Sequence, residues 1–392
     1  MRKVEVFKID KDYLSGEKKP LKPAKKPLKL NKKIFASFSL AVAVICFMCF
    51  GLFFLTDQNL YKIDLNSLYN DYDTGQNIIE MWNVETFEGG SGSRTDFLQN
   101  MAIQFNKKNT GKYIVVKSLT AAQAALNIQN GYLPNLVSFG VGAGSLFEDC
   151  LNKIDDTGEV RNDLLQYGQI DGVQYALPFI LGGYTIISRE SYLTKAKIDP
   201  GDILQNLYNA KFTSGKKFTP AVGTANSSCS NAYEALAANN ILGALPDSFY
   251  ENNLTNFEMY TNFVNGAFTS LIGTTRDLIR CKNRESAGTL QNCVYNYLGG
   301  YSDLVQYLGE VNIGSAGDQE LADEFLHYLI SENVQKQIAG IGMFSVLPSA
   351  IYSEGYLKDF EQVLLQPLKS VSAFITQQQI EGNMQDSRAK LN

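Results

Sequence analysis

Hydrophobic positions change their rhythm three times along this chain. Residues 18–33 carry hardly any apolar mass, and residues 34–55, IFASFSLAVAVICFMCFGLFFL, run for twenty-two positions without a charge. A polar and acidic stretch follows to about residue 75, ending in DYDTGQ. From there apolar positions alternate between two spacings. NIIEMW at 77–82 predicts a strand, the spacing of Phe97, Leu98, Met101, Ile103 and Phe105 predicts a helix, and YIVVKSL at 113–119 predicts a second strand. A helical AAQAALNIQNG follows, then a short strand LVSF at 136–139. Strand and helix alternating at this spacing predict a mainly parallel sheet covered by helices. At the other end, Ser370 onward becomes Gln-rich and polar, which predicts the end of a terminal helix and then a fraying tail.

As a helix the apolar run reaches roughly 33 Å, enough to cross a bilayer core of about 30 Å. Lys29, Lys32 and Lys33 precede it, whereas Thr56, Asp57 and Gln58 follow, so the N-terminus is expected inside and the remainder outside. A cleaved signal would be shorter and end in a small-x-small site, but this run ends in Leu52, Phe53, Phe54 and Leu55. Lipidation would need a small residue before the cysteine, and Ile45 and Met48 precede Cys46 and Cys49. An uncleaved anchor is therefore expected. Twelve basic against four acidic residues leave the leader at +8, so the rest carries −13 of the overall −5. The leader's basic, proline-punctuated stretch from Lys18 to Lys33, with hardly any apolar mass, predicts disorder and a topological role, with attraction to anionic lipid. No aromatic residue interleaves the lysines from Lys18 to Lys33, so nucleic-acid binding is not expected.

The three hundred or so residues beyond the spacer exceed the usual size of one core, which predicts two lobes. In open sheets ligands bind outside the carboxyl ends of the strands, here the loops after Trp82 and Phe139. The first reads NVETFEGGSGSR and leads into a helix near Arg94, Thr95 and Asp96, whose free amides suit an anionic or hydroxylated ligand. It lacks the GxxxxGK[ST] of a phosphate-cradling loop, and a flexible turn is the alternative. The loop after Phe139, VSFGVGAG, carries no acidic or amide side chain.

The segment MWNVETFEGGSGSRTDFLQNMAIQFNKKNTG resembles the first strand, loop and helix of bacterial extracellular solute-binding proteins of ABC importers, particularly the family 1, sugar- and oligosaccharide-binding type. LPNLVSFG at 133–140, GVQYALPFILGGYTIISRESYL at 172–193, SLIGTTRDLIR at 270–280, YSDLVQYLGEV at 301–311 and FLHYLISENVQKQIAGIGMFSVLP at 325–348 resemble the same family in the same order. The resemblance implies an α/β, two-lobed periplasmic-binding-protein-like fold of type II, here with an N-terminal transmembrane helix. It implies crossings near Gly182 and Gly183, Gly273 and Gly309, hence lobe 1 at 76–182 and 271–309 and lobe 2 at 183–270 and 310–370. Residues 1–33 then form a cytoplasmic leader, 34–55 the anchor, 56–75 a linker and 371–392 the helix end and tail.

Sugar rings stack on flat side chains while their hydroxyls need fixed partners, and the chain has twenty-one Tyr against one Trp. The resemblance makes Trp82, Glu85, Thr86, Phe87, Phe139 and Tyr184 candidate ligand contacts, with core packing the alternative for Trp82, Phe139 and Tyr184. Arg276 and Asp277 either grip ligand hydroxyls or form an internal ion pair fixing their loop. Tyr301 and Asp303 resemble the segment leading to the last crossing and join the candidate set.

Catalysis is not expected. His327 is the only histidine and falls in a helical pattern, no GxSxG elbow or HExxH is present, and acids such as Glu85 and Glu88 are too common on loops to imply glycoside cleavage. Neither cofactor nor metal is implied, since no CxxC joins Cys150, Cys229, Cys281 and Cys293. Cys281 and Cys293 are a possible disulfide in an oxidising compartment. Cys150 and Cys229 read as free thiols, because a bond between them would bridge the lobes. The expected function is a single-pass, membrane-anchored extracellular receptor that captures a small solute, a carbohydrate, and delivers it to ABC permease subunits. A tethered sensor or scaffold acting with a separate membrane signalling partner is the alternative.

Overall fold

The computed structural model describes residues 77–86, 90–202, 222–224, 230–240 and 254–391. The expected leader, anchor and linker lie outside the described residues, as do Phe87 and Cys229. Among the described residues no helix is long and apolar enough to cross a membrane.

Among the described residues nine of eleven strands carry the architecture: β1 Asn77–Glu85, β2 Lys112–Thr120, β3 Leu136–Gly140, β4 Leu177–Leu181, β5 Tyr184–Arg189, β6 Val222–Thr224, β7 Ser270–Thr274, β8 Cys293–Leu298 and β9 Val305–Glu310. They form two sheets. The first has the order β2-β1-β3-β9-β4, with β1 parallel to both β2 and β3 and β9 antiparallel to both β3 and β4. The second has the order β8-β5-β7-β6, antiparallel except for β6 against β7. The principal helices are α1 Arg94–Lys108, α2 Ala121–Gln129, α3 Ala232–Ala238, α4 Asn256–Asn265, α5 Thr275–Ser286, α6 Ala316–Ile330, α7 Gly355–Leu364 and α8 Gln377–Leu391.

Local chemistry sets these elements. Ser93 caps α1 by accepting from the Asp96 amide at 3.2 Å, Asp96 lies in the first turn, and Lys107 and Lys108 close the last, so both ends suit the helix dipole. Its buried face, Phe97, Leu98, Met101 and Phe105, covers the sheet. Capping boxes start α2 at Thr120 with Gln123 and α6 at Ser315 with Asp318. Covered by helices, β1 is buried continuously from Met81 to Val84.

Long-range pairing assigns the lobes differently from the expected boundaries. Residues 270–298 belong to the second sheet, where Leu271 of β7 pairs with Ile187 of β5, while β9 and α6 belong to the first. Phe325 of α6 packs edge-on against Phe105 of α1 at 5.2 Å, and Tyr307 of β9 stacks on Phe139 at 6.0 Å. Gly273 and Gly309 therefore sit inside strands, not at crossings. The chain crosses at residues 182–183, between β4 and β5, and returns at 299–304, between β8 and β9. The Gly182 amide donates to the Leu304 carbonyl at 2.7 Å and Ser302 Oγ to the Gly182 carbonyl at 2.8 Å, which ties the two crossings together.

Gly183 is needed for close approach. Its φ is not in the left-handed region, but a Cβ there would lie 2.7 Å from Cζ of Phe360 on α7. That ring stacks on Tyr297 of the second sheet at 4.7 Å and meets Phe344 beside the first at 5.1 Å. The C-terminal segment does not simply fray: α8 docks on α3, with Ser387 Oγ donating to Glu234 Oε2 at 2.7 Å and accepting from Asn231 Nδ2 at 3.2 Å.

The possible disulfide is not formed in the structure. Cys281, Cys293 and Cys150 are free thiols. Cys281 is buried among Met259, Tyr260, Phe263 and Leu271 as a small apolar residue, while the Cys293 thiol turns to the Gln291 carbonyl at 3.4 Å. Burial holds both thiols well above their ordinary range.

Candidate functional site

At the carboxyl end of β1 a relay of hydrogen bonds leads out to the surface. Buried Arg94, the first residue of α1, donates from Nε to Asn83 Oδ1 at 2.6 Å and from a terminal nitrogen to the Val84 carbonyl. Asn83 Nδ2 in turn donates to Thr95 Oγ1 at 2.7 Å, Thr95 to Ser118 Oγ at 3.0 Å, and Ser118 to Glu85 Oε1 at 2.8 Å. The chain fixes the Glu85 carboxylate at the rim.

The Gly/Ser loop between β1 and α1 is packed. Ser91 and Gly92 amides donate to the Ile341 carbonyl at 2.8 and 3.3 Å, and a Cβ on Gly92 would lie 2.6 Å from Ile341 Cγ2. Gly90 has φ +115° and equally little room. Opposite this loop, α5 begins with a capping box in which the Thr274 amide donates to Asp277 Oδ2 at 3.0 Å. That turns Asp277 inward and leaves the neighbouring Arg276 exposed. Glu85, Thr86, Ser93, Arg94 and Thr95 from one lobe and Arg276 from the other line a cavity of about 450 Å³.

Of the expected contacts, the structure thus brings together Glu85, Thr86 and Arg276. Phe87 lies outside the described residues. The others do not line the cavity. Trp82 is enclosed in the first core with its indole nitrogen donating to Glu80, which also pairs with Lys117. Phe139 stacks between Phe147 and Tyr307 at 5.9 and 6.0 Å. Asp277 is a helix cap whose burial raises its carboxyl.

Tyr184, Tyr301 and Asp303 form a buried polar cluster at the crossings. Both phenols donate to the Asp303 carboxylate, Tyr301 at 3.0 Å, and the Asn231 amide donates at 2.6 Å. Burial pushes Asp303 up to about 6 against these three donors, and burial beside Asp303 raises both tyrosines well above their ordinary value.

Asn83, Ser91, Ser93 and Gln306 were not singled out by sequence. Gln306 supplies the amide that the loop after β3 lacks: its Oε1 accepts from Thr86 at 3.3 Å, and both side chains lie over Gly140, where a Cβ would be 2.3 Å from Thr86 Oγ1. The available signal for Asn83, Ser91 and Ser93 was the run of short polar residues around the strand end. Among the described residues no group of three His, Cys, Asp or Glu is placed to hold a metal ion.

No family model matches the chain, and no curated protein matches it. Solved structures do. A family 1 extracellular solute-binding protein from Bifidobacterium longum subsp. infantis aligns with TM-score 0.59 at 13% identity, covering 81% of this chain and 96% of its own. The sugar-binding protein MalE from Xanthomonas citri aligns with TM-score 0.56 at 13% identity, covering 80% and 96%. The GacH receptor of Streptomyces glaucescens, solved unliganded and with acarbose, aligns with TM-score 0.53 at 14% identity, covering 80% and 94%. The chain shares their fold, two α/β lobes of the type II periplasmic-binding-protein-like kind.

Proposed function

We propose that this chain is a non-catalytic solute-binding protein, anchored by residues 34–55, that captures a small carbohydrate between its lobes outside the cell and passes it to ABC permease subunits. The observation that carries the proposal is the cavity whose lining comes from both lobes, with Glu85 fixed on one side and Arg276 presented from the other. Hydroxyl groups can both donate to a carboxylate and accept from a guanidinium, so a polyol satisfies both rims at once. Acarbose binding by the GacH receptor and the sugar-binding description of MalE support that ligand class. The described lining has one carboxylate and no histidine or cysteine, which suits capture and not catalysis.

The test is a thermal-shift screen of the full-length chain, purified in detergent, against mono- and oligosaccharides, amino acids and polyamines. A ligand at a hundred times its Kd adds about 2.7 kcal/mol. A sugar should stabilise the chain, and Glu85→Gln or Arg276→Ala should shrink the shift without lowering the unliganded melting temperature. Stabilisation by another class alone would replace the carbohydrate assignment. The anchor is tested separately: the chain should sediment with membranes and its C-terminal part should be open to external protease in intact cells.

A further inference from the structure

A second polar cavity, of about 570 Å³, opens at the opposite end of the first sheet. Gly140, at the cleft end of β3, pairs with Gln306, whereas Glu310, the last residue of β9, pairs with Leu136, where β3 begins. The Asn152 amide donates to the Glu310 carbonyl at 2.8 Å and holds the segment after Cys150 beside the strand end. His327 of α6 ties that segment to the helix. Its Nδ1 lies 2.9 Å from the Asp323 carbonyl and 3.1 Å from that residue's carboxylate, and its Nε2 lies 3.2 Å from the Asp156 carbonyl.

Asp155, Asp156, Glu310, Glu320 and Asp323 line the cavity, with Lys153 the one basic residue in its wall. Lys153 is committed at 2.5 Å to the exposed Asp155. Glu310 is different from the other acids. It is only 8% exposed, and its Oε1, closed off from solvent, has no hydrogen-bond partner. A carboxylate left in that state costs free energy that a hydrogen-bond donor reaching it would recover. Burial and the nearby Asp323 push it up to about 7, with His327 opposing.

The acids are spread around the space and no three gather closely enough to hold a metal ion among the described residues. Such a wall suits an organic cation carrying several N–H donors better than a bare metal ion. We propose that this pocket binds the guanidinium or ammonium group of an organic cation, with Glu310 accepting at the floor and Glu320 and Asp323 flanking it. The site is separate from the carbohydrate cleft. The same chemistry arises from a free diamine and from a basic side chain of a polypeptide, and the two are separable by experiment.

Isothermal titration of the full-length chain at pH 8 and physiological salt would use agmatine and a hexa-arginine peptide as probes. At least one should bind, and Glu310→Gln should weaken it by about tenfold or more. Asp323→Asn should weaken it too and serves if Glu310→Gln does not fold. Agmatine binding assigns a free small cation, and binding of the peptide alone assigns a polypeptide source. Arg276→Ala, which disables the cleft, should leave the cation affinity intact. The proposal is overturned if neither probe binds, if both acid variants keep wild-type affinity, if Arg276→Ala abolishes binding, or if calcium chloride binds in place of agmatine.

Discussion

Asp303 shows how far a residue's role depends on what faces it. Its carboxylate accepts from Tyr184, Tyr301 and the Asn231 amide at 2% exposure, so Asp303→Ala strands three buried donors. Urea unfolding should show a loss of about 3 kcal/mol or more, against about 1 kcal/mol for Tyr184→Phe. Ionisation gives a second readout. Asp303 and Glu310 titrate higher in the folded chain than in the unfolded one, at about 6 and about 7. The folded state therefore binds more protons above pH 4, and the stability these groups give is complete below their unfolded values and lost as pH rises through the folded ones. Burial lowers His327, but its bonds to Asp323 and Asp156 outweigh this and raise it, which adds in the same direction. Urea midpoints should fall between pH 5 and pH 8, and Glu310→Gln should remove up to about 3 kcal/mol of that fall. Trp82 teaches the same lesson: of its two readings, ligand contact or core packing, the structure takes the second, and Trp82→Ala should cost about 3 to 5 kcal/mol in unfolding free energy.

The elements were far more legible than their assembly. The expected strands at 77–82, 113–119 and 136–139 fall inside β1, β2 and β3, and the expected helix from Phe97 to Phe105 inside α1, because period and caps are local signals. Lobe membership is not local. Nothing near Leu271 announces that it pairs with Ile187, eighty-four positions earlier, and nothing near Phe325 points to Phe105. The site divides similarly. Glu85, Thr86 and Arg276 flank turns that the family resemblance marks, whereas the ring of Phe139 is covered by Phe147, Tyr307 and Phe374, the last two more than 160 positions further along the chain. Gly183 was legible as a crossing through the resemblance, but the need for glycine there was not: its φ is ordinary, and Phe360 leaves no space for a Cβ. Gly183→Ala should therefore destabilise by about 1 to 3 kcal/mol in urea unfolding. Combining it with Phe360→Leu should recover part of that loss, whereas a purely conformational role would make the two losses add.

At the scale of the molecule the two lobes meet, among the described residues, at the chain crossings (182–183, 299–304 and the segment leading to α8, whose Lys369 carbonyl accepts from the Ser302 amide), at the aromatic wedge of α7, and at the cavity rims. The first two are tightly bonded and packed, with Ser302 and Leu304 holding Gly182 and Phe360 filling the space behind Gly183. Movement of one lobe against the other must then be read at the third, where the rims carry opposite charge. Glu85 is held by the relay from Asn83, and Arg276 stands at the start of a helix, where the dipole does not favour a cation. Arg276→Glu would place like charges across one cavity, a juxtaposition that costs up to several kcal/mol when desolvated. Ligand affinity should fall by roughly tenfold or more at low salt and recover partly at 1 M salt, where screening acts over about 3 Å. The reversed pair Glu85→Arg with Arg276→Glu restores attraction but removes the acceptor that the Ser118 hydroxyl needs. It should therefore regain the salt response while binding more weakly than the native pair. Titration at two salt concentrations checks this, and equal affinity of all three forms would mean that the two charges never meet through a ligand.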